Sequence, residues 1–285
     1  MVSFLIPIYN FCVEELVKTI SLQAKNCGIS FEVLAYDDCS EKSFQEKNQS
    51  ISNLDNVTYK ILPQNLGRAK IRNLLAKQSK GEWLMFFDCD VRIEKEDFIK
   101  TYLDNRFDCD VICGGTQYED KTKILQPYLL HWKNGSIRES NKVRKKNSSF
   151  TTNNFFIKKN IFENLTFDEN IEGYGHEDTI FGYNFRRLGY RIKDIDNPVV
   201  HLGSATKNLY LIYQNYDYKQ ELQRIPLIRM LLKIKRLNLI SLYLFFYRLF
   251  QPIIIKNLYS KRPKLRFLDM YKLNVILLSY RSHKK

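Results

Sequence analysis

The stretch EWLMFFDCD, residues 82–90, decides the fold of this chain. An uninterrupted apolar run at 83–87 leads directly into two aspartates that stand one residue apart, Asp88 and Asp90. A short apolar run bounded by polar residues is typical of a strand buried in a parallel sheet. In open α/β sheets, ligands bind outside the carboxyl ends of the strands. The stretch therefore predicts a buried strand that delivers two carboxylates to the binding edge of a sheet.

Predicted strands and helices alternate on both sides of this stretch. We predict strands over 2–10, 31–40, 57–63, 82–90 and 111–119, and helices over 13–26, 67–81 and 96–106. We interpret residues 120–150 as a polar surface excursion, followed by a strand and short helix over 150–171, a helix over 176–189 and two short strands over 190–204. This alternation predicts an α/β domain, Rossmann-like, with a largely parallel sheet and helices on both faces.

A second Asp-Cys-Asp triplet lies in RFDCDVICGG, residues 106–115. Here Asp108 and Asp110 precede an apolar run instead of following one. They are therefore predicted at the amino end of a strand, on the edge opposite to Asp88 and Asp90. We expect them to form a metal-free turn.

Further carboxylates are predicted beside Asp88 and Asp90. Asp37 and Asp38 end the second strand of the parallel sheet, at the same edge. Clustered carboxylates repel one another and raise each other's pKa unless a cation intervenes. Oxygen ligands suit Mg²⁺ or Mn²⁺, so this edge is a candidate metal site.

The charge is concentrated in the last quarter of the chain. The formal net charge is +14, and residues 224–285 contain 15 Lys and Arg and one acid. Residues 1–223 hold 30 basic and 30 acidic residues, so the body is neutral. Because the basic tail is also rich in Leu, Ile, Tyr and Phe, an anionic lipid surface is favoured over nucleic acid as its partner.

The tail is predicted to be helical, with three alternatives open. Arg229, Lys233 and Arg236 form one stripe of a helix, and the apolar run at 237–255 is interrupted by Arg248 and Pro252. Mixed basic and apolar faces are typical of a helix that lies on a membrane. A helical cap on the domain and a dimer interface remain as alternatives.

The cysteines indicate the compartment. The chain has six and none forms a CxxC pair; a strand-like run begins at Val2, with no secretory signal before it. We therefore expect a reduced, cytoplasmic protein.

The order of six motifs gives a resemblance to a family. The motifs are PIYN (7–10), DDCS (37–40), NLGRAKIRN (65–73), FFDCD (86–90), GYGHED (173–178) and HLG (201–203). Together they resemble the family 2 glycosyltransferases of the GT-A fold, in particular the branch that includes bacterial polysaccharide-chain synthases. The resemblance implies a GT-A domain over 1–205, with a nucleotide-binding half at about 1–120 and an acceptor half at about 121–205. A basic helical extension would follow over 206–285.

The resemblance also implies which residues hold the donor nucleotide. They are Pro7, Tyr9, Asn10, Asp37, Asp38, Asn65, Gly67, Arg68, Arg72 and Asp88. A carboxylate such as Asp37 accepts hydrogen bonds from uracil N–H or ribose hydroxyl groups. A helix N-terminus with an arginine suits a phosphate or a base edge.

Metal binding and catalysis are assigned by the same resemblance. Asp90 would be a direct ligand of Mn²⁺ or Mg²⁺ and His201 an imidazole ligand, while Asp88 would contact the ribose or a metal-bound water. The ion would offset the charge that grows on the leaving diphosphate.

The acceptor would be activated by Asp178 as general base, which implies inversion at the anomeric carbon. Glu177, Gly173, Tyr174 and Gly175 would bind sugar or acceptor. Tyr174 stands where the family often has Trp, and an aromatic ring there can stack on a sugar.

The expected function is metal-dependent transfer from a UDP-sugar to a hydroxyl of a glycan or lipid-linked glycan, in the synthesis of a bacterial surface polysaccharide. The enzyme is expected to be peripheral on the cytoplasmic face of the cell membrane, as a monomer or homo-oligomer, with no nucleic-acid partner. A sugar-nucleotide nucleotidyltransferase and a non-catalytic nucleotide- or glycan-binding protein remain as alternatives.

Overall fold

Seven strands of the described chain form the central sheet. A computed structural model describes residues 1–138, 140, 150–170, 177–202 and 226–282 of the chain. The strands are β1 (Val2–Ile8), β2 (Phe31–Asp37), β3 (Val57–Ile61), β4 (Trp83–Phe87), β6 (Val111–Cys113), β8 (Asn154–Lys158) and β9 (Ile192–Asp194). They lie across the sheet in the order β3-β2-β1-β4-β8-β6-β9. The first four are mutually parallel, and β6 is parallel to β9. Only β8 runs antiparallel to its neighbours, β4 and β6, so the predicted largely parallel sheet is confirmed.

Helices cover both faces of this sheet, as predicted. They are α1 (Glu14–Asn26), α2 (Lys42–Asn48), α3 (Arg68–Gln78), α4 (Phe98–Asp104), α6 (Lys159–Asn164) and α7 (Glu177–Arg187). Successive residues of β1 point to opposite faces. Phe4 and Ile6 pack in a cluster with residues of α1 and α4, and Leu5 packs in another with residues of α3, α6 and α7.

A second, smaller sheet extends from the first. Its order is β5 (Val91–Arg92), β10 (Val199–His201) and β7 (Thr116–Tyr118). The strand predicted over 111–119 is split between β6 and β7 by Gly114 and Gly115. Gly115 has φ +88°, and a Cβ on Gly114 would lie 2.2 Å from the hydroxyl of Tyr102. The glycines therefore permit the close approach that redirects the chain into the small sheet.

Two other predictions about helices were wrong. The helix predicted to end at Gly81 ends at Gln78, and Gly81 lies against β1, where a Cβ would be 2.6 Å from the backbone nitrogen of Ser3. The predicted surface excursion contains a helix, α5 (Leu129–Arg138). The polar composition of residues 120–150 concealed this helix, whose Leu130 packs against apolar residues that are distant in sequence.

The described chain divides into two compact units. The first is built from the described parts of 1–119, 139–171 and 176–203, and holds both sheets. The second is built from 120–138 and the described part of 204–285, with α5, α8 (Pro226–Arg236), α9 (Ile240–Leu258) and α10 (Leu265–Ser282). The predicted helical character of the C-terminal region is confirmed, and the predicted boundary near residue 205 remains a prediction.

Within the second unit, α5 is joined to α10 by charge. Both nitrogens of the Arg138 guanidinium head lie 2.8 Å from the carboxylate oxygens of Asp269. Across the described segments, none of the individual helices has the length and apolar character of a membrane span, although the bent pair Arg229–Arg236 and Ile240–Leu258 passes that test jointly.

Candidate active site

The two aspartates of the first triplet follow β4 and are supported by different segments. The backbone N–H of Asp88 donates to the carbonyl of Asn153, at 3.1 Å. The backbone carbonyl of Asp90 accepts from the N–H of Leu202, at 2.7 Å. The loop before β8 thus positions the backbone of Asp88, and the residue after β10 positions the backbone of Asp90.

Asp88 is held by a buried arginine. A guanidinium nitrogen of Arg72, on α3, lies 2.6 Å from Asp88 Oδ1. Burial acts most strongly and would raise the pKa of Asp88. The positive charges of Arg72 and Arg68, together with the hydrogen bond from Arg72, hold that pKa below its usual range. Asp88 therefore stays ionised, with one oxygen committed to an ion pair inside the protein.

Arg72 connects this triplet to the start of α7. Its side chain is 2% exposed, and its guanidinium lies 3.4 Å from Glu177 Oε1 and 3.2 Å from the hydroxyl of Thr152. The ring of Phe167 packs against the same guanidinium, with 5.4 Å between the ring centroid and the central carbon. Arg72 is thus a buried cation between two carboxylates, and its predicted contact with the nucleotide remains a prediction.

The two acids at the start of α7 have different surroundings. Glu177 is buried and lies near two arginines, Arg72 and, at 3.7 Å, Arg68. Asp178 accepts a hydrogen bond from the N–H of Thr179, at 2.6 Å. Burial raises the pKa of Asp178, the charge of Glu177 adds to this effect, and the result is about 7.

This pKa fits a general base. A carboxylate that exchanges its proton near neutral pH is a better proton acceptor than one with an ordinary pKa. The charge of Glu177 is compensated by Arg72 and Arg68, and an ion-paired carboxylate is a weaker proton acceptor. Glu177 is therefore less suited than Asp178 to act as general base. Gly173, Tyr174 and Gly175, which the sequence places beside these acids, lie outside the described residues.

His201 is brought to Asp90 by the small sheet. In the pairing of β10 with β5, His201 lies opposite Val91, the residue after Asp90. His201 Nε2 is 3.4 Å from Asp90 Oδ2, and the ring of Tyr118 packs against the imidazole with 5.5 Å between centroids. Asp90 and His201 are thus in side-chain contact, and their predicted roles as metal ligands remain predictions.

These two side chains fit a divalent ion that is shared with a substrate. No cluster of three His, Cys, Asp or Glu side chains suited to a metal occurs among the described residues. Mg²⁺ is usually held by one or two carboxylates together with substrate phosphates. Asp90 and His201 would therefore hold the ion with a bound diphosphate. The predicted contribution of Asp88 competes with its ion pair to Arg72.

Asp37 and Asp38 are largely occupied within the chain. Asp37 is fully buried, and its two oxygens accept hydrogen bonds from the N–H of Ser40 at 2.7 Å and from the Tyr59 hydroxyl at 3.0 Å. Asp38 accepts from two backbone N–H groups, those of Leu66 and Gly67, at 2.6 and 2.9 Å. Both carboxylates hold neighbouring loops at the carboxyl edge of the sheet through these hydrogen bonds. Their predicted contacts with uracil or ribose remain predictions.

The loop before α3 is also held by the backbone of Asp38. Asn65 donates from its side-chain nitrogen to the carbonyl of Asp38, at 2.9 Å. Gly67 has φ +81° at the residue before the helix begins. That backbone conformation favours glycine, and it turns the chain so that α3 starts at the sheet edge.

The end of β1 presents one exposed ring. Pro7 pairs with Tyr36 inside the sheet, and Tyr9 is exposed just beyond the strand. Asn10 has φ +49°, and its side-chain oxygen accepts from the N–H of Glu41 at 2.8 Å. Asn10 thus joins the loop after β1 to the start of α2, while Tyr9 is left accessible to a ligand.

The second Asp-Cys-Asp triplet lies at the opposite edge, as predicted. Asp110 Oδ2 accepts from the N–H of Arg191 at 2.8 Å, and Lys158 lies 3.8 Å from the same carboxylate. Asp108 is exposed and has φ +58°, which is tolerated by Asp in tight turns. The structure therefore accounts for this triplet as a turn that joins α4 to β6.

Three residues of the site were missed by the sequence interpretation. Thr152 and Phe167 contact Arg72 from positions about 80 to 95 residues away, and Tyr118 contacts His201 from a different strand. Their patterns in the sequence are those of ordinary strand and loop residues. Only the tertiary arrangement brings them to the site.

Comparisons with known proteins identify the family of this chain. The sequence profile of the family described as "Glycosyl transferase family 2" matches residues 3–166. An "Uncharacterized glycosyltransferase" of Haemophilus influenzae is 37% identical over 93 residues, which is 32% of this chain and 29% of that protein.

The fold is shared with solved structures. S. aureus TarS 1–349 superposes with a TM-score of 0.52 at 20% identity, over 70% of this chain and 60% of TarS 1–349. The complex of TarS 1–349 with UDP-GlcNAc gives a TM-score of 0.53 at 20% identity, over 79% of this chain and 65% of that one. The predicted GT-A fold is confirmed by this similarity. The chain spans less than a third of the Haemophilus relative and under two thirds of TarS 1–349.

Proposed function

This chain belongs to glycosyl transferase family 2, and from that premise we propose that it transfers a sugar from a nucleotide-sugar donor to a hydroxyl group of a glycan or lipid-linked glycan. The proposal is supported above all by how charge is distributed at the carboxyl edge of the main sheet. Arg72 neutralises Asp88 and Glu177, whereas Asp90 faces His201 and Asp178 has a pKa of about 7. One pair of side chains suits a metal ion, and one carboxylate suits a base.

The proposed roles follow from these surroundings. Asp178 takes the proton of the acceptor hydroxyl, and that oxygen attacks the anomeric carbon as the bond to the diphosphate breaks. Asp90 and His201 would hold Mn²⁺ or Mg²⁺, which supplies Lewis-acid stabilisation of the diphosphate charge when bound. Inversion is proposed because Asp88 and Glu177, two further acids of this edge, are held by Arg72 and are poorly suited to act as nucleophiles.

UDP is the proposed nucleotide. The motifs DDCS and NLGRAKIRN resemble the UDP-binding motifs of the family, and the TarS structures with UDP and UDP-GlcNAc indicate which donor to test first. The acceptor is proposed to be a growing bacterial surface polysaccharide, on the cytoplasmic face of the membrane. The neutral body and the charge of +14 carried by residues 224–285 support that location, because anionic lipid attracts polybasic segments.

The test is a nucleotide-release screen. The full chain is incubated with a panel of UDP-sugars and Mn²⁺, with and without a chelator, and released UDP is measured. We expect release with at least one donor and its loss on chelation. Release of pyrophosphate from UTP and a sugar 1-phosphate, with no UDP released from any UDP-sugar, would favour a nucleotidyltransferase. Binding of UDP-sugar with no turnover for any acceptor tested would favour a binding protein. Either result contradicts the proposal.

The repeated triplet offers a matched control for the metal site. Asp90→Asn and Asp108→Asn make the same chemical change in the two Asp-Cys-Asp triplets, at opposite edges of the sheet. Asp90 is the second aspartate of its triplet, and Asp108 is the exposed first aspartate of the other. We expect Asp90→Asn to abolish metal-dependent release and Asp108→Asn to retain it. Equal activity of the two variants would remove Asp90 from the site.

A further inference from the structure

Helix α9 is apolar on two opposite sides, and one side is buried. Tyr247, Ile254 and Leu258 pack against Leu268 of α10, within the second unit. These residues repeat at spacings of seven and four, so they form one face of the helix. Packing on α10 thus accounts for only this half of the apolar content of α9.

The other side of α9 is exposed. It carries six large apolar residues, each 46–66% exposed, namely Leu242, Phe245, Phe246, Leu249, Phe250 and Ile253. At 100° per residue these six fall on one continuous arc, directed away from Tyr247. A contiguous exposed patch of this kind marks an interaction surface, since single exposed apolar residues are ordinary but rows of them are rare.

Positive charge surrounds this patch in the chain. Arg229, Lys233 and Arg236 are exposed on α8, which precedes α9. Exposed cations also follow the patch, at Lys256, Lys261, Arg262, Lys264 and Arg266. Within 226–282 the single acid is Asp269, and it is paired with Arg138.

We infer that the exposed face of α9, defined by the six residues from Leu242 to Ile253, inserts into the headgroup region of the anionic membrane surface that faces the protein. The helix lies along the surface, its aromatic and aliphatic side chains enter the acyl boundary, and the basic residues of α8 and 256–266 contact headgroup phosphates. Lys256, near the end of the same arc, reaches the headgroups through its long side chain.

Charge decides between a membrane and a second copy of this chain. Two copies joined through α9 would bring together like-charged regions with no acids to pair them, whereas an anionic membrane provides the opposite charge. The inference refines the proposed membrane location and rests on it, and it does not depend on the proposed sugar transfer.

Vesicle flotation tests the face directly. The full chain is mixed with vesicles of phosphatidylcholine alone or with about one third phosphatidylglycerol, and its partition is measured. We expect the double variant Phe245→Ser/Leu249→Ser to bind anionic vesicles at least about tenfold more weakly than wild type, since each side chain loses apolar burial.

Matched controls are available in the first unit. Leu22 and Phe107 are 61% and 63% exposed, close to Leu249 and Phe245 at 62% and 66%. The double variant Leu22→Ser/Phe107→Ser removes the same side chains elsewhere, and we expect it to float like wild type. Equal flotation of both double variants would overturn the inference while the membrane location stands.

A charge variant separates the contribution of the basic residues from that of apolar insertion. Arg229→Gln/Lys233→Gln/Arg236→Gln is expected to reduce the preference for anionic over neutral vesicles.

Light scattering without vesicles tests whether a second copy of this chain is the partner. Conversion of a dimer to a monomer by Phe245→Ser/Leu249→Ser, with flotation unchanged, would overturn the inference. Failure of wild type to float on anionic vesicles would refute both the location and the inserted face. UDP release is measured separately and bears only on the proposed transfer.

Discussion

Replacing Arg72 by methionine is the sharpest test of how the site is organised. The substitution keeps an unbranched side chain of similar length and removes the charge. Asp88 and Glu177 then lose the guanidinium that lies 2.6 and 3.4 Å from their oxygens, in a region where Arg72 is 2% exposed. Leaving a buried charge without its partner costs about 3–5 kcal/mol. We expect a loss of this size in the free energy of unfolding near pH 8.

The pH dependence of this loss gives a second readout. In wild type the pKa of Asp88 is lowered, so the stability it contributes is present above its unfolded pKa and is lost as the pH falls through the folded value. In Arg72→Met the pKa of Asp88 rises, because the positive charge that lowers it is removed, so protonation of Asp88 relieves its unpaired charge at moderately acidic pH. The deficit relative to wild type should therefore be largest at pH 8 and shrink toward pH 5.

Urea unfolding followed by tryptophan fluorescence at several pH values measures both effects. Arg68→Met is the matched control, because Arg68 lies 3.7 Å from the same Glu177 oxygen but its side chain is 44% exposed. We expect the control to lose less than about 1 kcal/mol, as surface ion pairs do. A loss below about 1 kcal/mol for Arg72→Met, or one that does not vary with pH, would show that Arg72 is not the counter-charge we describe.

The remaining predictions concern the base, the metal pair and the turn between the sheets. Asp178→Asn should abolish transfer while UDP-sugar binding, measured by calorimetry, is retained; loss of both would contradict its role as base. In wild type the rate should rise with pH through about 7 as Asp178 loses its proton, and a flat profile would contradict the pKa. The same raised pKa makes the folded state bind more protons than the unfolded state between about pH 4 and 7, so stability should fall with rising pH there, and Asp178→Asn should lack that decrease. His201→Ala should raise the Mn²⁺ concentration needed for half-maximal UDP release, without changing the melting temperature by more than a few degrees. Gly114→Ala should cost about 1–3 kcal/mol in urea unfolding, because its Cβ would meet the Tyr102 hydroxyl, and an unchanged midpoint would show that the loop relaxes freely.

Much of the fold could be predicted from the sequence, because apolar runs and turn residues define the strands locally. The run at 83–87 is a strand as predicted, and both Asp-Cys-Asp triplets lie at the edges that strand direction assigns them. Helix α5 was missed because its surroundings are polar in sequence, while the apolar partners of its Leu130 come from α9 and α10. The break between β6 and β7 was missed because it depends on the close approach of Tyr102 to Gly114, which no local pattern reports.

For the site, residue type was predictable and pairing was not. The sequence indicates that carboxylates collect at one edge, but it does not show that Asp38 serves the backbone of Leu66 and Gly67 or that Arg72 joins Asp88 to Glu177. Such pairs are 16 and 105 residues apart in the chain. They depend on side-chain geometry that only the folded protein defines.

The position of β8 has a consequence for how the protein is made. This strand comes from residues 154–158, yet it lies between β4 and β6, which are complete by residue 113. While the chain is being synthesised, β4 must wait at the edge of a four-stranded sheet, with its backbone groups unpaired on one side. The wait lasts until about 70 more residues have emerged, from the end of β4 at residue 87 to the end of β8 at residue 158. A fragment that stops near residue 120 would keep that edge permanently open and would be prone to associate with other copies. Addition of the antiparallel strand β8 is therefore a late step in folding. The carboxyl edge of the sheet beside β4 can be completed only after that step.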